Sequence, residues 1–337
     1  MATLNTTGTI SFRTNGYAVG RLLKRAQPNL VTERFGQIDP QGEKKTKTRK
    51  FRRHEAISPA IAPVAEGIVP SGAQLNVTDL ECSLEQYVQV IWITDQVQDF
   101  CEDNVLQDSV DNLSVAFGET IELIRFAVLK AGTNVFYANN VTSRATVNSP
   151  PVLGDIRRVV RSLRKNRAQT ISKVVDASVK YGTTPVEEAY FAIIPTELES
   201  DVRNITGFSP ASEYGNVLPH ELGKVENVRF MLSNVLTGWS AAGASGTVYL
   251  SGGVAVSTAA SCDVYPILVF GQNAYGIVPF KGKNAVKIFV KNPEDAVSVD
   301  NPAGQKGFVS GKMYQTAIIT QDLWMARVEC AATANPT

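Results

Sequence analysis

The most regular pattern in the chain lies between residues 105 and 131. There Leu106, Val110, Leu113, Phe117, Ile121, Ile124 and Val128 recur at spacings of 4, 3, 4, 4, 3 and 4. Such spacing puts one continuous apolar stripe on a helix, and Gly132 follows as the residue that ends it. From Val105 to Ala131, at ~1.5 Å per residue, the predicted helix is about 40 Å long, a structural spine. A second helical pattern, "GDIRRVVRSLRKNRAQ", puts Ile156, Val159, Val160 and Leu163 on one face and Arg157, Arg158, Arg161, Arg164 and Lys165 on the other. Asp155 is its expected N-cap. The β-branched and aromatic runs "LEQYVQVIWIT" (Leu84–Thr94), "VYPILVF", "AVKIFV" and "MYQTAIIT" are predicted as buried strands. "AYFAIIPTELESDVRNI" reads as a buried strand, a turn at Pro195 and an amphipathic helix. Residues 133–150 read as short strands and a polar loop, and the Ala-, Gly- and Ser-rich stretch 236–261 as a mobile hairpin or surface insertion.

Upstream of the spine the pattern changes twice. Residues 1–43 are polar and weakly periodic, expected as an extended arm with one short helix around Tyr17–Arg25. Thr46–Glu55 is polar and strand-compatible. Then "AISPAIAPVAEGIVPSGAQLNV" runs for 22 residues with one charge, Glu66, and three prolines, Pro59, Pro63 and Pro70. Those prolines forbid a central strand and suit an extended loop or edge hairpin. Left in water, such a segment is the sticky edge that natural proteins avoid, so it is expected to be covered by another subunit. The alternative is a loop folded onto its own domain.

Charge sharpens this picture. The formal net charge of +1 hides an asymmetry: residues 1–53 hold 12 of the 33 Lys and Arg but only three of the 32 acids. Seven of those bases fall within "KKTKTRKFRR": Lys44, Lys45, Lys47, Arg49, Lys50, Arg52 and Arg53. A basic arm on an acidic body binds either nucleic acid or the acidic body of the next copy. Candidate chemistry is sparse. Four cysteines (Cys82, Cys101, Cys262, Cys330) lie far apart and are read as reduced, mostly buried thiols. With only His54 and His220 beside them, no metal-ligand spacing arises. No GxGxxG or GxxxxGK[ST] phosphate loop is present, and neither histidine sits near a nucleophile motif. The expectation is a protein without cofactor, metal or catalytic residues. "MATLNTTGTISF" is not a signal peptide, and no apolar run approaches the ~18–20 residues that span a bilayer, so cytosolic synthesis without a membrane partner is expected.

Four segments carry a family resemblance: "FRRHEAISPAIAPVAEGIVPSG" (Phe51–Gly72), "LPHELGKVENVRFMLS" (Leu218–Ser233), "DVYPILVFGQNAYGIVPFKG" (Asp263–Gly282) and "NPAGQKGFVSGKMYQTAIITQDLWMARVE" (Asn301–Glu329). With the order arm, proline loop, spine helix, α/β region and strand return, the chain resembles the major capsid proteins of tailed bacteriophages. Within them it is similar to the family typified by the capsid protein of phage N-four. It departs from that pattern at Ser310–Gly311–Lys312, where a Trp is expected beside the lysine, and in "NPAG".

The resemblance implies an α+β Hong Kong 97-like fold. Its parts are an N-terminal arm (1–46), an E-loop (47–80), a P domain (81–150) with the spine helix at 105–131, an A domain (151–297) and a return into the P domain (298–337). It implies self-assembly as hexamers and pentamers into an icosahedral head around double-stranded DNA, in the cytoplasm of a bacterial host, with portal, scaffolding and cement proteins as candidate partners. The seven basic residues and the loop residues Ile61, Val64, Ile68 and Val69 are then intersubunit contacts, with the genome or plain solvent as the alternatives for the basic run. Arg157, Arg158, Arg161, Arg164 and Lys165 are candidate genome-facing residues. The rival readings are an encapsulin-type compartment shell and a sequence-independent nucleic-acid-binding protein.

The start at Met1 suggests that no N-terminal scaffolding segment is removed, although an unprocessed precursor has the same sequence. Some shells of this fold are cross-linked through a lysine near the E-loop tip. Ala56–Asp79 contains no lysine. Mature particles boiled in denaturant are therefore expected to run as monomer on a gel, and a covalent ladder would contradict this.

Overall fold

The spine helix runs from Val105 to Lys130 in the computed structural model, which describes residues 30–334 apart from 60, 62, 68, 70–71, 101–104, 176–182, 247–248, 256–259 and 281–285. Its first half uses the predicted stripe: Leu113 and Phe117 are buried against Ile93, Val97, Val309 and Met313. Its second half turns a different face inward, burying Glu122, Arg125, Phe126 and Leu129 while Ile121, Ile124 and Val128 stay half-buried. The cause is that the helix passes from one core cluster to another, where Phe126 and Leu129 meet Phe191, Met231 and Tyr275.

Under the first half lies a five-stranded sheet built around the long strand Lys306–Ile319. One edge of that strand pairs antiparallel with Glu85–Thr94; the other pairs with Val286–Lys291 and, further along, with Tyr275–Pro279. The long strand alternates inward and outward as a strand with one covered face should. Helix and sheet approach closely at Gly311, where an added Cβ would lie 2.1 Å from Phe117 Cε2. The same motif position that departs from the family pattern thus has a packing reason. Two strand readings are corrected here. Glu85–Thr94 and Val286–Lys291 are edge strands, and of their apolar residues only Ile93 is buried. Alternation sends Val88, Val90 and Phe289 to the sheet face that no helix covers among the described residues.

The second sheet has eight strands, in the order Val135–Tyr137, Met325–Ala331, Val264–Phe270, Thr183–Pro195, Val228–Ser233, Glu221–Val225 and Phe208–Pro210, with Ile171–Val175 also on Thr183–Pro195. Its central strands Val264–Phe270 and Met325–Ala331 are buried at every residue, as a sheet covered on both faces demands. The helix Leu153–Lys165 covers one face through Ile156, Val159, Val160 and Leu163. The end of the spine helix covers the other, together with Val31 and Phe35. Burial of those two residues, and parallel pairing of Gln37–Ile38 with Gly276–Ile277, make residues 31–38 part of the body and not a free arm. The short helix expected at Tyr17–Arg25 lies outside the described residues.

Strand pairing divides the chain differently from the expected boundaries. Tyr275–Pro279 and Val286–Lys291 join the spine-helix sheet, whereas of the 298–337 return only Lys306–Ile319 does so; Met325–Ala331 runs in the eight-stranded sheet. Asp155 is not the N-cap. It is the third residue of its helix, and its carboxylate accepts the backbone N–H of Val152 at 3.3 Å. The start of the 236–261 insertion is core: Leu236 is buried, and Trp239 exchanges backbone hydrogen bonds with Val264 at 2.8 and 2.9 Å.

Replacing Gly311 by Val should drive the helix off the sheet. Urea unfolding of the subunit is expected to show a loss of about 1–3 kcal/mol; an unchanged midpoint would contradict the close approach.

Candidate assembly interface

The basic run forms the strand Thr48–His54, paired antiparallel with Val77–Ser83. The register sets Lys50 opposite Glu81 and Arg52 opposite Asp79. Arg52 grips Asp79 with Nε at 2.8 Å and Nη2 at 2.9 Å, Lys50 pairs with Glu81, and Lys47 pairs with Glu85 at 2.9 Å. Hydrogen bonding from Arg52 and from Lys47 holds the Asp79 and Glu85 carboxyls below the usual carboxylate range. These pairs are exposed and contribute little stability individually; their effect is on register, since a one-residue slip would break them together. Arg49 forks onto Asp39 with two contacts of 2.6 Å. Arg53 donates to the Thr320 carbonyl at 3.2 Å and to the Gln321 side chain. Five of the seven bases therefore have partners within the chain. Among the described residues, Lys44 and Lys45 have none.

Phe51 alone on this strand is buried, against Leu84 and Val278. Leu80 and Cys82 of the second strand pack against the same cluster, and a cavity of about 790 Å³ bounded by Arg53, His54, Arg167, Gln321 and Trp324 lies between the hairpin and the body beside it. The hairpin is thus fixed to the body along its first strand, at Arg49, Phe51 and Arg53. Beyond it the proline loop contains no strand among the described residues, and its apolar side chains stand in solvent: Ile61 is 88% and Val69 89% exposed, with Val64 also exposed. Ile68 lies outside the described residues. The described residues of the loop are not folded onto their own domain.

The five bases of the Leu153–Lys165 helix do not form one free face. Arg157 pairs with Glu226 at 2.7 Å, and Arg158 binds Asn140, the Tyr137 carbonyl and Asp155. Arg161, Arg164 and Lys165 are exposed and make no ion pair among the described residues.

Several buried polar groups escape any periodicity argument. Glu329 is fully buried, gripped by Arg144 at 2.7 and 2.8 Å and by Arg327 at 2.8 Å. Trp239 lies under the Arg144 guanidinium, 3.8 Å from the ring centroid. Arg229 and Glu221 form a buried fork at 2.5 and 2.8 Å. Glu122 accepts the Thr32 hydroxyl at 2.7 Å, and burial raises its carboxyl above the usual range. Asp263 accepts three backbone N–H groups, from Ala241 at 2.7 Å, Gly252 at 2.9 Å and Gly253 at 2.6 Å, which ties down the insertion. Sequence offers one weak signal for these, a charged residue inside an otherwise apolar strand, as in "MARVECA". Cys262 and Cys330 are buried free thiols, and burial raises both; Cys82 is half-buried, and Cys101 lies outside the described residues. The described residues hold no cluster of three or more metal ligands and no helix long and apolar enough to cross a membrane.

A spine helix on a long-stranded sheet, a second sheet between helical layers and a charge-paired hairpin carrying an exposed apolar loop define the Hong Kong 97-like class of shell-building subunits. The fold is that of solved phage capsids. The structure is similar to the cyanophage Pam1 capsid (TM-score 0.67, 11% identity, 99% of this chain and 100% of that one). It is also similar to the head of Helicobacter pylori bacteriophage KHP40 (TM-score 0.64, 12% identity, 98% of each chain). A third similar structure is the capsid of cyanophage P-SCSP1u (TM-score 0.62, 13% identity, 95% of this chain and 94% of that one). No curated protein matches in sequence. The family model described as phage capsid protein matches residues 78–304, and the chain belongs to that family. Its function is that of a major capsid protein, a structural component of the virion capsid, and the family it belongs to is not an enzyme family. The compartment-shell and nucleic-acid-binding readings are not favoured.

At Asp263 burial raises the carboxyl, but the backbone donors and the Ser240 hydroxyl outweigh it and the net direction is down. A group lowered on folding stabilises the protein above its unfolded pKa, ~3.9 for Asp, and loses that contribution as pH falls through the folded value. Asp263→Asn is expected to cost about 1–3 kcal/mol in urea melts at neutral pH, with the gap from wild type closing in acid below about pH 4. A gap independent of pH would contradict the assignment.

Proposed function

We propose that many copies of this chain assemble through hexamers and pentamers into an icosahedral head that encloses the double-stranded DNA of a tailed phage. The observation that carries this is the proline loop: every described residue of this 22-residue apolar segment is exposed, and such a segment has no stable place except on another copy. In this reading the hairpin and loop (47–80) are the E-loop, and Ile61, Val64, Ile68 and Val69 are its contact residues. Of the basic run, Lys44 and Lys45 are the bases left for contacts outside the chain, while Lys47, Arg49, Lys50, Arg52 and Arg53 mainly shape the hairpin. Strand pairing supports a P domain of the spine helix with Glu85–Thr94, Tyr275–Pro279, Val286–Lys291 and Lys306–Ile319, and an A domain on the eight-stranded sheet. On the Leu153–Lys165 helix, Arg161, Arg164 and Lys165 are the bases available to a packaged polyanion. Portal, scaffolding and cement proteins are its expected partners, and the bacterial cytoplasm is the expected place of assembly.

Light-scattering mass of the purified protein off a sizing column, with negative-stain images of the same peak, tests this reading. Megadalton closed particles, or rings of five and six, are expected. A strict monomer, persisting under crowding and after addition of the phage's other head proteins, would overturn it.

A further inference from the structure

At the root of the hairpin lies a cavity of about 360 Å³ lined by Lys44, Lys45, Lys47, Lys287 and Lys312 beside Tyr314. Of these five lysines only Lys47 pairs with a carboxylate, Glu85, among the described residues. Strand register sets Lys287 directly opposite Lys312, and like charges directly opposite one another in a sheet are destabilising. Such a site calls for an anion from outside the chain.

The same cross-strand rows lead away from the cavity onto the sheet face that no helix covers among the described residues. Val88 lies across from Lys312, Val90 across from Ser310, and Ser310 across from Phe289. Val88, Val90 and Phe289 are exposed, so the lysine cavity opens beside an apolar platform.

The proline loop has the complementary pattern. Between Ala56 and Asn76 its only charge is Glu66, which stands exposed at the turn made with Gly67, whose φ is +83°. Glu66 has no partner among the described residues, and Ile61, Val64 and Val69 flank it in solvent. The chain's own loop does not meet this cavity: Lys47 is at the root of the hairpin, and a seven-residue strand of roughly 23 Å separates it from the loop.

Resting on the assembly reading, we propose that Glu66 of one copy enters the lysine cavity of a second copy, with the apolar residues of the loop laid on the open face around Val88, Val90 and Phe289. Apolar contact supplies the burial, and the single carboxylate against several lysines fixes where the loop tip sits.

Reciprocal charge exchange tests this. Glu66→Lys and Lys312→Glu are each expected to lower the yield of closed particles at least about tenfold, the factor that ~1.4 kcal/mol of lost contact energy produces. The double variant should recover most of the wild-type yield. Urea melts separate a lost contact from a failure to fold: Glu66→Lys is expected to match wild type and Lys312→Glu, which places a carboxylate opposite Lys287, to be at least as stable. Assembly of Glu66→Gln, which changes only the charge, should fall between. Normal assembly of Glu66→Lys, or a double variant no better than either single, would overturn the inference while leaving the capsid reading intact. Failure of the wild-type chain to assemble would overturn both.

Discussion

The rest of the architecture is arranged around one unsatisfied surface, an apolar loop that stays exposed among the described residues of its own chain. Hydrophobic area left in water costs free energy roughly in proportion to its extent. A monomer normally removes such a segment by folding it inward. Here the opposite is enforced. The cross-strand pairs Lys50–Glu81 and Arg52–Asp79 fix the hairpin's register, and Arg49, Phe51 and Arg53 fix its first strand to the body along its length. The subunit is stable as a fold yet incomplete as a surface, which is the condition for repeated self-association.

That exposed loop needs a base that does not yield, and the buried charges supply it. Glu329 joins Arg144 and Arg327 within the eight-stranded sheet, and Trp239 from the insertion stacks over the guanidinium groups. Glu122 ties Thr32, which precedes the hairpin, to the spine helix. Removing one member of such a group strands the others in a low-dielectric interior, so each group holds its elements in one arrangement.

Much of this was legible in the chain itself, and the reasons differ by element. The spine helix was visible because a 3.6-residue period over 26 residues has few competing explanations. The loop was visible because three prolines and a lack of charge exclude a central strand. Val88, Val90 and Phe289 misled: β-branched and aromatic residues mark strands but not whether a second layer covers them. The basic run misled differently. Its charge was plain, but its partners Asp39, Asp79, Glu81 and Glu85 come from other segments and only strand register brings them opposite. Val31 and Phe35 lay within a polar context that hid their burial.

The most direct check on the central claim is maleimide labelling of Val64→Cys, with the modified site located by mass spectrometry, in assembled particles and in subunits dissociated from them. The account predicts rapid labelling of the free subunit and strong protection in the shell, because a neighbouring copy covers the loop. Equal labelling in both states would mean that the loop remains in water after assembly and that the contact holding the shell together lies elsewhere.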